Sequence, residues 1–198
     1  MQNGEPSALT AQSGALLPKR RRVDGRALRS ERTKQLIIEA YLELLPERPE
    51  APTAAQIAQR AGYSVRSIFE RFDDLLALTI AATDYAFAIE QARATRQPRT
   101  GPRSERLRYN VERRSDICER WLPLWRVLLQ HRNDSELARA RIKRIRDAMW
   151  TGFAMNYHAE LDPLPEAERK ALLIALEQLT DFKSWGRMRE RHGLSIEE

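Results

Sequence analysis

The chain has 198 residues, of which 42% are hydrophobic and 31% charged, with a formal net charge of +6. That is enough apolar material for the core of one or two modest domains under a soluble surface. No apolar run approaches the roughly 20 residues that span a bilayer, and Cys118 stands alone, which excludes an intrachain disulfide.

The first 16 residues lack both the positive start and the apolar stretch of a secretory signal, so a cytoplasmic protein with a disordered tail is expected. Residues 17 to 34 carry Lys19, Arg20, Arg21, Arg22, Arg26, Arg29, Arg32 and Lys34 against only Asp24 and Glu31. We read residues 1–28 as a disordered basic arm. Beside a DNA-binding element such an arm follows phosphates or inserts arginine into a narrow minor groove; by itself it is a solvated charge run.

A long amphipathic helix follows, with Leu36, Ile37, Ala40, Tyr41, Leu44 and Leu45 on one stripe behind Ser30 as its cap, ending before Pro46 and Pro49. Next come two short helices in the stretch from Thr53 to Phe72. Thr53 and Gln56 have the spacing of a capping box, Ile57, Ala58 and Ala61 form a small inner face, and Gly62 suits a left-handed helix end. Ser64 is the natural cap of the second helix, whose inner face is expected to be Val65, Ile68 and Phe72 and whose outer face Arg66, Ser67, Glu70 and Arg71. Two such helices joined by a glycine turn make a helix-turn-helix, in which the second enters the major groove of DNA.

The residues Thr53, Ile57, Ala58, Ala61, Gly62, Ser64, Ile68, Phe69 and Phe72 resemble the signature of the TetR/AcrR family of bacterial transcriptional regulators, over roughly Arg29 to Leu78. The chain departs from it at Phe69, Glu70 and Arg71, where the family often has two aromatics and His, and at Leu75, where Lys is common. The resemblance implies an all-α fold: a DNA-binding domain over residues 29–78, then a helical effector-binding and dimerisation domain over 79–198. It further implies a ligand-responsive repressor that binds a double-stranded operator as a homodimer. Arg66, Ser67 and Arg71 are the expected base contacts, with Arg20, Arg21, Arg22, Arg26, Arg29, Thr53, Ser64, Val65 and Phe69 completing the DNA-binding surface.

Helices are then expected from Leu75 to Arg96, from Ser104 to about Glu119, through the following segment with Pro123 in its first turn, from Glu136 to His158, and from Glu166 to about Arg191. No segment alternates as a strand would. Trp121, Trp125, Trp150, Phe153 and Tyr157 gather where TetR-like proteins keep an effector pocket, which implies an apolar or aromatic small molecule. Ordinary core packing is the other reading. Leu172, Leu173, Leu176, Leu179 and Phe182 lie on the helix whose family equivalent packs against its twofold mate, with a core role as the competing reading. At the far end, Gly193 would stop that helix and Ser195 could cap another.

Neither cofactor nor metal is expected: His131, His158 and His192 are scattered, and no paired CxxC, HExxH or Gly-rich phosphate loop occurs. No nucleophile sits in a triad context either, which argues against an enzyme. The alternatives are a nonspecific or architectural DNA-binding protein that uses the basic arm, and a small-molecule enzyme with a structural head.

Overall fold

The computed structural model describes residues 25–47, 50–94 and 101–197, and these residues form nine α-helices and no strand. They are α1 (Gly25–Leu44), α2 (Ala54–Ala61), α3 (Val65–Phe69), α4 (Leu75–Ala94), α5 (Arg103–Gln130), α6 (Glu136–Asn156), α7 (His158–Leu161), α8 (Glu166–Leu179) and α9 (Phe182–Glu190), with a 3-10 turn at Leu45–Glu47 after α1. Arg20, Arg21 and Arg22 lie outside the described residues.

Helix α1 starts at Gly25, so Arg26 belongs to it and Ser30 is an interior residue of the helix instead of its cap. Its stripe of Ile37, Ile38, Tyr41 and Leu44 is buried against α2 and α4. Two polar contacts fix the α1–α4 register. The Tyr41 hydroxyl meets Thr79 Oγ1 at 2.9 Å inside the core. Tyr85 donates to Glu39 at 2.7 Å, a bond that holds the Glu39 carboxyl below the usual carboxylate range.

From α4 onward the helices pack as a bundle, α4 against α5 and α6, and α5 against α6 and α9. The ion pairs follow the same seams: Asp84 of α4 accepts from Arg141 and Arg144 of α6, at 2.6 and 3.1 Å. One buried cluster runs from Ile37 and Tyr41 through Ile57, Ile68, Leu78, Trp121 and Leu128 to Phe182. Phe153, Leu161 and Leu173 form a smaller one between α6, α7 and α8.

Within the bundle three expected boundaries move. Residues 103 to 130 form one helix with Pro123 in its interior, where the ring removes a helical hydrogen bond. The helix continues because Trp121, Leu124, Trp125 and Leu128 on both sides of Pro123 bury one common face. The stretch from Glu166 to Arg191 is broken at Thr180, because Asp181 caps a new helix by accepting from the Ser184 N–H. Asn156 ends α6, and His158 opens the short α7.

The break at Thr180 is stabilised by Arg114, whose Nε donates to the Thr180 carbonyl at 2.8 Å and so supplies a partner to an unpaired C-terminal carbonyl of α8. Its guanidinium also lies 4.9 Å from the Phe182 ring centre and 5.7 Å from that of Phe153, joining the two clusters. Phe182 is therefore a core residue, 2% exposed and in ring contact with Trp121 and Trp125. Of the apolar positions on α8, Leu173 points inward, whereas Leu172 and Leu179 are 47% and 69% exposed.

Burial also governs Cys118, which is 1% exposed and whose thiol is pushed up to about 11, chiefly because burial disfavours the thiolate. The fold thus favours the neutral thiol. Its stabilising contribution is complete below the ordinary value of 9.0 and disappears as pH rises through about 11. Native protein at pH 8 is expected to resist iodoacetamide and to become alkylated at Cys118 on unfolding in urea; rapid labelling of the native state would contradict this.

Candidate nucleic-acid interface

The local chemistry that builds the head is the chemistry its sequence suggests. Thr53 accepts from the Gln56 N–H while the Gln56 side chain accepts from the Thr53 N–H, completing the capping box. Gly62 sits at φ 73°, the left-handed region, and its N–H reaches back to Ala58 and Gln59 to close α2. A side chain there would be strained by about 1 to 2 kcal/mol. Ser64 then caps α3 by accepting from the Ser67 N–H at 3.1 Å.

This turn is tied to α1. Thr33 Oγ1 donates to the Arg29 carbonyl at 3.0 Å and lies 3.3 Å from the hydroxyl of Tyr63, the residue next to the α3 cap. The exposed Arg29 and Arg32 on α1 are thereby held to the same unit as the turn. On the far side, Lys34 stands over the Phe72 ring at 5.7 Å.

Ile68 and Phe72 are the inward side of α3, at 0% and 4% exposed. Val65 is not. It is 40% exposed at the very start of α3, next to the Ser64 cap, whereas Ile68 and Phe72, joined by the Phe72 N–H donating to the Ile68 carbonyl at 2.9 Å, turn inward together. The outward surface is instead two columns at four-residue spacing. One is apolar, Val65 and the 47%-exposed Phe69; the other is ionic, Arg66 donating to Glu70 at 2.9 Å.

The Arg66 side chain is 88% exposed. An ion pair so open to water has little strength, and the guanidinium can leave it for another anion. Arg71 behaves differently: its Nη1 donates to the Ser67 carbonyl at 2.8 Å and its Nε is buried without a partner, so the guanidinium folds back along α3. Ser67 Oγ is 3.0 Å from Ser64 Oγ, and Thr53 is exposed at the start of α2.

Trp121, Trp125, Trp150, Phe153 and Tyr157, expected around an effector pocket, do not converge on one cavity. Trp121 and Trp125 are buried in the main cluster beside Phe182, whereas Phe153 is buried in the smaller cluster with Trp150 and Tyr157 partly buried around it. Two surface clefts lie along α5, and of these five aromatics Trp125 alone lines one of them. One, of about 330 Å³ between α5 and α9, has an apolar wall of Leu122, Trp125, Leu129 and Phe182 and a charged one of Arg126, Asp181, Lys183, Arg187 and Glu190. The other, of about 250 Å³, runs between the 3-10 turn and α5 and is lined by Leu45, Pro46, Glu47, Pro123, Val127 and again Arg126. Periodicity along one helix carries no signal for such clefts, because their walls come from different helices.

Among the described residues no group of three or more His, Cys, Asp or Glu is placed to hold a metal ion, and no helix is long and apolar enough to cross a membrane. No protein-family model and no curated protein sequence matches the chain. Among solved structures it is similar to a tetR-family transcriptional regulator from Streptomyces coelicolor, with a TM-score of 0.64 and 24% sequence identity, over 81% of this chain and 72% of that one. The chain therefore has the all-α fold of a TetR-family transcriptional regulator, with its helix-turn-helix unit toward the N-terminal end.

Proposed function

We propose that the chain is a cytoplasmic transcriptional repressor, not an enzyme, that binds a palindromic operator as a homodimer and is released from it by a small-molecule effector. The observation that carries this reading is the capped α2–α3 pair, which leaves Arg66 88% exposed on the second helix. Arg66 is the base reader, bridging guanine N7 and O6. Thr53, Ser64 and Ser67 at the helix starts, with Arg26 and Arg29 of α1 and Arg20, Arg21 and Arg22 before it, contact phosphates. Arg71, folded back onto the Ser67 carbonyl, holds the end of α3.

Two heads on one operator require a twofold assembly, and the exposed Leu172 and Leu179 of α8 offer it an apolar surface. The α3 helices then enter successive major grooves about 34 to 36 Å apart. An apolar or aromatic effector has a place in the cleft between α5 and α9. The neighbouring cleft shares Arg126 and is walled partly by the 3-10 turn after α1, so occupancy there bears on the head. Release follows if the effector prefers the arrangement in which the heads are wrongly spaced.

The test is an anisotropy titration on the DNA upstream of the gene and on a shuffled control. Wild type is expected to prefer the native duplex, and Arg66→Ala to lower that affinity by about 5- to 100-fold with little effect on the control, the cost of one bidentate base contact. Equal, steeply salt-dependent binding of both duplexes would favour an architectural protein instead.

A further inference from the structure

On the outward surface of α3, Val65 and Phe69 are apolar and 40% and 47% exposed, although Ile68 and Phe72 of the same segment are buried. Two large apolar groups stacked four residues apart on a solvated helix gain nothing from water. They sit beside Arg66, and the exposed Arg29 and Arg32 of α1 are anchored to the same turn through Thr33 and Tyr63. This positive rim matches a polyanion. Within the major groove one base edge is apolar: thymine, through its C5 methyl.

We propose that Val65 and Phe69 read thymine methyl groups, so that each half-site carries thymines beneath this column and the guanine bound by Arg66 beside it. The inference rests on the DNA-binding reading and adds the base preference. Four residues advance about 6 Å along a helix, near two base-pair steps of about 3.4 Å each, so the two methyl contacts fall on nearby and distinct base pairs. Removing one methyl from such a contact weakens binding about fourfold, the value of one buried methylene.

The experiment takes the full chain, selects bound duplexes from a random DNA pool, and then replaces each thymine of the selected sequence in turn with deoxyuridine, which lacks only the methyl. Wild-type affinity is expected to fall about fourfold at one or two positions per half-site and to stay unchanged at the others. In a V65S/F69S variant, whose fold is checked by far-UV circular dichroism, those positions are expected to lose their sensitivity. Specific binding that is indifferent to deoxyuridine at every position would overturn the proposal and leave the DNA-binding reading standing. Recovery of no selected sequence would overturn both. If the variant binds nothing, the wild-type profile alone decides.

Discussion

Phe182→Ala is expected to lower the free energy of unfolding by about 3 to 5 kcal/mol, the cost of emptying a buried aromatic site. The ring is 2% exposed, 5.0 Å from Trp125 and 6.3 Å from Trp121 between ring centres, and beneath the Arg114 guanidinium at 4.9 Å. Truncation opens a cavity between α5 and α9 and takes away one aromatic face from the half-buried Arg114 cation. Folded domains hold about 5 to 15 kcal/mol in total, so the loss is a large share of the whole. Urea unfolding followed by circular dichroism checks it, through a lower midpoint at an unchanged slope. A shift below about 1 kcal/mol would mean that Phe182 is not packed as described.

The second large effect is expected at the surface of α8. Replacing Leu172 and Leu179 together with Glu introduces charge at positions that are 47% and 69% exposed. Such sites rarely change protomer stability by more than about 0.5 kcal/mol. On the homodimer reading, the sedimentation mass falls to that of one 23.0 kDa chain. Operator affinity falls about 100-fold or more, because two half-sites are no longer held by one assembly. A dimer that survives the double substitution would move the twofold contact to another surface. If instead the mass halves while operator binding is unchanged, a single head suffices and the palindrome is unnecessary.

The head was legible in the sequence because its determinants are local. The Thr53–Gln56 box, Gly62 and the Ser64–Ser67 cap each act across a few residues, and the structure contains each as read. What failed depended on partners distant in the chain. Leu176, Leu179 and Phe182 continue a helical period across Thr180, and that period hid the Asp181 cap and assigned Phe182 to the wrong surface. Arg114 looks in sequence like one more arginine on a solvated face. Only the fold sets it against Thr180 and Phe182 and lowers its affinity for a proton through burial. Trp121 and Trp150 look alike in composition, but one joins the main cluster and the other packs against the smaller one. Val65 has the spacing of the inner face but opens α3 beside its cap, and only the fold shows that it is turned to solvent.

The buried cluster that runs unbroken from Ile37 in α1 to Phe182 in α9 has a calorimetric consequence. Because this cluster joins the helix-turn-helix unit to the bundle, heat is expected to unfold both in one cooperative transition, seen as a single calorimetric peak. A compound bound in the cleft between α5 and α9 and a duplex bound at α3 then raise the same Tm, each according to its own concentration and Kd. Candidate effectors can therefore be screened by warming the free protein, before any operator is known. Among the compounds that raise Tm, an effector is distinguished by its antagonism with DNA: their joint stabilisation falls short of the sum of the two.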